Sequence, residues 1–210
     1  MKRIFLLCML VMLVTGCTSI KSSEISSIVN ETLSSVLNIT NTNRNGYSYY
    51  LPRGISVKST KSFNERLEDD LYQYYLYVDV VSYNNKTGFK YTKNNAAYFS
   101  SNLENNGKYG YIEINNYTNN QYLIEIMYNY AKIEVVVYEE DIKDVIANAM
   151  AIISSVTYND NVIVKYLANS SFEGNEEGFN IFEVVGRNSY LQITDEETTE
   201  EEKKDPDYIN

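Results

Sequence analysis

Residues 108–138 read KYGYIEINNYTNNQYLIEIMYNYAKIEVVVY. Three runs in this passage, Lys108 to Tyr117, Gln121 to Tyr128 and Ala131 to Tyr138, are dense in Ile, Val and Tyr. Only Thr118-Asn119-Asn120 and Asn129-Tyr130 separate them. Branched and aromatic side chains suit a pleated surface, and Asn tolerates the left-handed backbone of a tight hairpin. Strands joined by so few residues are antiparallel neighbours, so the passage predicts a meander.

Upstream, Leu71 to Tyr83 has the same composition and is expected to be one strand, with Leu76, Val78 and Val80 on one face and Tyr75, Tyr77, Asp79, Val81 and Tyr83 on the other. Asn84 to Gly88 reads as a turn, Phe89 to Thr92 as a strand, and Asn105-Asn106-Gly107 as the turn into Lys108. Tyr47 to Leu51 and Ile55 to Lys58 read as a strand and its return around Pro52-Arg53-Gly54. Ser62-Phe63-Asn64-Glu65 has capping-box spacing and predicts a brief helical turn.

Downstream the period changes. Ile142, Val145, Ile146, Ala149, Met150, Ile153 and Val156 repeat as one helix face, behind the acidic run Glu139-Glu140-Asp141 at the positive end of the dipole. The spacing predicts a helix over about 139–156. Val162 to Leu167 and Phe179 to Val185 read as later strands. Ile25, Ile28, Val29, Leu33, Val36 and Leu37 predict an earlier helix from Glu24 to Leu37, docked on the sheet. The expected fold is α+β, a mostly antiparallel meander sheet with two helices packed on it.

The chain opens with Lys2 and Arg3, then an apolar run from Ile4 to Val14, then Thr15-Gly16-Cys17. A basic start, a short apolar stretch and a small-residue exit describe an export signal. The run is about half the roughly 20 residues needed to cross hydrocarbon. Leu13-Val14-Thr15-Gly16-Cys17 resembles the lipobox of bacterial lipoproteins. The resemblance implies cleavage between Gly16 and Cys17 and diacylglycerol on the Cys17 sulfur, which places the protein on the extracytoplasmic face of the cell membrane. Two acyl chains suffice for stable anchoring. The expected organisation is a signal peptide at 1–16, a lipidated cysteine and tether at 17–23, one domain at 24–193, and an acidic, disordered tail at 194–210.

Composition removes several chemistries. The 210 residues contain no histidine and two cysteines, Cys8 in the expected signal and Cys17 at the lipid site. Without imidazole or a free thiol, Ser-His-Asp and Cys-His catalysis and His-ligated metals are excluded. Asp69-Asp70 and Glu139-Glu140-Asp141 lack the spacing of a calcium loop, and no cofactor motif occurs, so no metal or cofactor is expected. The net charge of −10 argues against nucleic-acid binding.

Two constellations remain. The 21 tyrosines offer an aromatic face, for which Tyr75, Tyr77, Asp79, Tyr109, Tyr111 and Tyr122 are the candidate binding residues. The competing account is that Tyr suits half-buried strands and reflects, with Asn and Ile, a low-GC composition. Glu113, Glu125 and Glu134 recur on successive strands and would serve a glycosidase if two met in a cleft. The plainer expectation puts them on the solvent face of a one-sided sheet. Asp79, if buried, would need a partner, with Lys132 or Arg66 as the nearest choices.

The sequence therefore points to a membrane-tethered domain that acts by binding rather than as an enzyme. An envelope protein is the first expected partner, and a cell-wall glycan or small ligand the second. A carboxylate-dependent cell-wall hydrolase and a structural spacer are the rival readings.

Overall fold

A computed structural model of the chain describes residues 24–35 and 39–169. The expected signal, Gly16, Cys17, the tether, the strand Phe179 to Val185 and the acidic tail lie outside the described residues. The elements are α1 (Ile25–Ser34), β1 (Thr42–Asn43), β2 (Tyr47–Tyr49), β3 (Ser56–Lys61), β4 (Asn64–Glu68), β5 (Gln73–Val78), α2 (Val80–Asn85), β6 (Phe99–Asn105), β7 (Lys108–Asn116), β8 (Gln121–Tyr128), β9 (Ala131–Tyr138), α3 (Ile142–Ser154), β10 (Thr157–Tyr158) and α4 (Asp160–Asn169). A short 3-10 turn, Glu139–Asp141, leads into α3.

Seven strands form one antiparallel sheet in the order β3-β4-β5-β9-β8-β7-β6. It consists of two hairpin runs, β3-β4-β5 and β6-β7-β8-β9, joined where β5 lies beside β9. The fold is α+β, as the alternation of periods predicts. Asn106-Gly107 (φ 51° and 73°) and Asn129-Tyr130 (50° and 62°) are two-residue connections with both residues left-handed, and the longer β7–β8 link, 117–120, ends on the left-handed pair Asn119-Asn120 (55° and 61°). Such turns match the right-handed twist of the strands they join. Gly110, in β7, is required by close approach: a Cβ there would lie 1.9 Å from the Met127 carbonyl oxygen.

One sheet face carries the core. Leu67, Tyr74, Leu76, Val78, Ile112, Ile114, Ile124, Ile126, Ile133, Val135 and Val137 are buried there with the apolar stripe of α3. Helix α3 lies across β8 and β9, and α1 packs beside it, chiefly against α3, on the same side of the sheet. Among the described residues, no helix is long and apolar enough to cross a membrane.

Several local expectations fail for identifiable reasons. Ser62-Phe63 is the tight connection from β3 to β4, with Ser62 at φ 53°, and no helical turn forms. The Ile55 to Lys58 stretch pairs with β4 instead of returning on Tyr47 to Leu51. The long strand from Leu71 ends at Val78, because the Asp79 carboxylate accepts from the Ser82 amide at 2.9 Å and starts α2. Phe89 to Thr92 is not a strand; β6 instead begins at Phe99. Val162 to Leu167 belongs to helix α4. The Asn159 side chain accepts from the Val162 amide at 3.3 Å, and Ile163, Tyr166 and Leu167 pack on the core at helical spacing. Strand propensity in a Val/Ile run yields to that cap and to tertiary burial.

Candidate functional site

The second sheet face carries the polar and aromatic constellation. Glu113 on β7 stands opposite Glu125 on β8, Glu125 stands opposite Glu134 on β9, and Glu134 stands opposite Tyr75 on β5. The adjacent row runs Tyr77, Lys132, Met127 and Tyr111. The three glutamates retain 4, 6 and 5% of their exposure, so the solvent-face expectation is overturned. Like charges directly opposite one another are unfavourable, and burial adds to the cost unless donors are supplied. Donors are present. Glu113 accepts from the Tyr91 hydroxyl, from Asn94 Nδ2 at 3.0 Å and from Asn115 Nδ2 at 2.9 Å. Glu125 accepts from the Tyr111 hydroxyl, and Lys132 Nζ lies 3.4 Å from Glu134 Oε1.

The stretch after α2 covers part of this face. Tyr91 stacks on Tyr111 with ring centroids 4.3 Å apart, and Phe89 stacks on Tyr111 at 5.6 Å. Ser100 Oγ donates to the Asn94 carbonyl at 2.8 Å and fixes the far end of the loop. Burial first, then the bond to Glu113, pushes the Tyr91 phenol above its ordinary range, so it remains a donor.

The candidate residues divide. Tyr75, Tyr77 and Tyr111 share the second face, and Tyr109 continues their line to the hairpin end of β7, where it is 53% exposed. Tyr122 does not join them. It has the parity of Ile124, packs against the core and meets Tyr98 at 4.7 Å. Asp79 is a helix cap, and its expected cation Lys132 instead approaches Glu134.

A pocket of about 250 Å³ opens at the hairpin end of the same face. Lys86 and Phe89 line it from the segment after α2, Tyr109 from the start of β7, Met127 from β8, and Tyr130 from the β8–β9 turn; Lys108 borders it at the β6–β7 turn but has the parity of Gly110 and Ile112 on the other sheet face. Lys86 has φ 53° and holds its ammonium 3.6 Å from the centre of the Tyr83 ring. The turn is anchored on both sides. The Asp79 amide donates to the Tyr130 carbonyl at 2.8 Å, the Asn129 amide to the Tyr109 carbonyl at 3.0 Å, and the Tyr158 hydroxyl to the Asn129 carbonyl at 2.6 Å. Tyr130 meets Tyr83 edge to face at 5.7 Å.

Sequence reasoning missed Lys86, Phe89, Tyr91 and Met127. A signal existed: Lys86, Lys90 and Lys93 occur in a stretch with no acidic residue from Val80 to Leu103, a positive island in an acidic chain.

A second carboxylate is sealed elsewhere. Glu65 on β4 is fully buried and receives Arg44 Nε at 2.9 Å, Arg44 Nη2 at 2.6 Å, the Tyr47 hydroxyl at 2.7 Å and the Tyr49 hydroxyl at 3.0 Å. This cluster ties the small sheet, β1-β2-β10, to the large one. It is a structural latch. Among the described residues, no group of three or more acidic side chains is placed to hold a metal ion.

No family model matches the chain, and no curated protein is similar enough to count as a match.

Proposed function

We propose that this chain is a lipoprotein, held on the extracytoplasmic face of the cell membrane by lipid on Cys17, and that its domain acts by binding through the hairpin end of the second sheet face. The observation that carries the binding reading is the pocket between Lys86, Phe89, Lys108, Tyr109, Met127 and Tyr130. Its walls gather aromatic and thioether surface beside the polar backbone of two turns, the composition of a recognition site. The lipobox-like residues 13–17 support the anchor. The partner is an envelope component that presents a group small enough to enter the pocket. The glutamate row supports a structural role over a hydrolytic one, since its carboxylates are almost sealed and hydrogen-bonded within the face.

Two experiments test the parts separately. A clickable fatty-acid analogue is expected to label the wild type in cells and to leave Cys17→Ala unlabelled. Native protein that begins at Met1 without acylation overturns the anchor. A photo-crosslinking residue at Tyr109 is expected to capture an envelope component. The same residue at Leu71, 75% exposed at the opposite end of the sheet, is not. Equal capture from both positions, or none from Tyr109, overturns the binding reading.

A further inference from the structure

The pocket is walled by rings. Phe89, Tyr109 and Tyr130 line it with the Met127 thioether, and among the described residues no acidic side chain does. The two lysines on its border are turned elsewhere. The Lys86 ammonium sits 3.6 Å from the centre of the Tyr83 ring, and Lys108 has the parity of the opposite sheet face. Phe89 belongs to a parallel set. It stacks on Tyr111 with the ring planes 11° apart, and Tyr91 stacks on the same ring at 7°. Of these three rings Phe89 is the one that lines the pocket, so the set ends at its wall. The backbone adds an independent observation. Asn129-Tyr130 adopts the left-handed pair of a primed hairpin turn, whose second position ordinarily takes glycine. Strain of this kind concentrates at functional sites, and here it keeps a ring at the pocket wall that glycine would not supply.

We infer that the pocket takes an uncharged aromatic ring, presented by a Phe or Tyr side chain of the envelope partner. The inference rests on the binding reading above and gives the inserted group a chemical class. A ring laid on Phe89 continues the parallel set in the offset stacking that aromatic pairs prefer. The Met127 sulfur offers the polarizable contact that ring edges favour. An apolar cavity of about 150 Å³ accepts benzene, so about 250 Å³ has room for one ring and the carbon that carries it. Tyr109 is 53% exposed, which leaves the rim open to a macromolecular surface.

The chain offers its own reporters. Its five methionines include Met127 in the pocket wall and Met150 buried in α3. Neutral probes are titrated into the full-length lipidated protein, labelled with methyl-13C-methionine, in zwitterionic micelles. N-acetylphenylalanine amide is expected to move the Met127 methyl upfield and saturably, as a nearby ring current does, and to leave Met150 in place. N-acetylcyclohexylalanine amide has the same reach but a saturated ring. It is expected to bind about five-fold more weakly, without the upfield displacement. Phe89→Leu, which keeps apolar volume and loses the ring, is expected to weaken the phenyl probe about five-fold. The cyclohexyl probe binding as tightly as the phenyl probe overturns the inference, as does methyl glucoside binding more tightly than either. So does joint movement of Met127 and Met150, or a Met127 methyl that stays still. The comparison of probes on the wild type stands even where the variant fails to fold. Crosslinking from Tyr109 that persists while the ring makes no difference removes the aromatic group and leaves the binding reading. Silence in both experiments removes both.

Discussion

Glu113 and Glu125 are direct cross-strand partners on β7 and β8, both nearly sealed from solvent, and Glu134 continues the line on β9. Glu125 therefore has a carboxylate on each side, while the Tyr111 hydroxyl is its own donor. Substituting Glu125→Gln removes the central like charge and keeps an acceptor for Tyr111. The expected outcome is a gain of about 1 kcal/mol, read as a higher urea midpoint with unchanged slope. A loss of similar size would show that the carboxylate charge is needed to hold Tyr111 and that the row is not a source of repulsion.

The Glu65 latch makes the opposite prediction. Arg44 keeps 24% of its side-chain exposure and Glu65 none, so removing the cation strands a carboxylate that water cannot reach. Arg44→Met is expected to cost about 2 kcal/mol, below the 3–5 kcal/mol of a fully buried pair because the arginine is partly solvated. Adding Glu65→Gln to Arg44→Met should recover part of the loss, since the stranded charge is gone. If the double variant is the less stable by the sum of two single losses, the two residues act independently and the latch is not one unit.

These two clusters mark the limit of what the sequence disclosed. The strands Gln121 to Tyr128 and Ala131 to Tyr138 and the helix face of Ile142 to Ile153 were legible because their periods are long and uninterrupted. Asp79 and Asn159 show where legibility stops. Asp79 stands inside a strand-like run and Asn159 three residues before one, and one side-chain bond to the backbone turns the next residues into helix. Glu65 reads locally as the end of a capping box; only the distant Arg44, Tyr47 and Tyr49 make it a buried anion. The pocket was invisible for a similar reason. Tyr109 stood among the candidates, but Lys86 and Phe89 join it only through the path of the loop after α2.

Gly110 should be intolerant of any side chain. The Cβ of alanine would fall 1.9 Å from the Met127 carbonyl oxygen, a backbone atom that cannot swing aside. Relief requires β7 and β8 to part near the Tyr109–Asn129 hydrogen bond. Gly110→Ala is expected to lose about 3 kcal/mol or more, well above an ordinary glycine substitution in a strand. A melting temperature within a degree or two of wild type would show that the strands do not approach so closely.

Alkali should unfold the protein before many phenols titrate. Burial first, then a bond to Asp141, raises Tyr72 from the ordinary 10.0 to about 12; burial and a bond to Asp160 do the same for Tyr83. Burial with Glu65 raises Tyr47 and Tyr49 further, and burial alone is the main cause at Tyr158. A phenol whose folded value lies above its unfolded one holds its proton longer in the fold. Its contribution is complete below about pH 10 and is lost as pH rises towards 12. The urea midpoint should be level up to about pH 10 and fall beyond it, with tyrosinate absorbance appearing in step with unfolding. Titration of all the tyrosines near pH 10 with the fold intact would contradict this.

Tyr130→Gly separates strain kept for binding from strain kept for packing. Glycine at the second turn position, after Asn129, removes the cost of a left-handed tyrosine, about 1–2 kcal/mol. The same change deletes the edge-to-face contact with Tyr83, and such pairs contribute about 0.5–1.5 kcal/mol beyond their buried area. The two effects nearly cancel, so the stability of the variant is expected to stay within about 1 kcal/mol of wild type. The pocket, however, loses a wall, and photo-crosslinking from Tyr109 to the envelope component should weaken several-fold. A variant that folds as well and binds worse places the ring in service of the ligand. A loss of about 2 kcal/mol or more with binding intact among the folded molecules would instead assign Tyr130 to the packing of Tyr83 and Tyr158, and the strain would carry no argument about recognition.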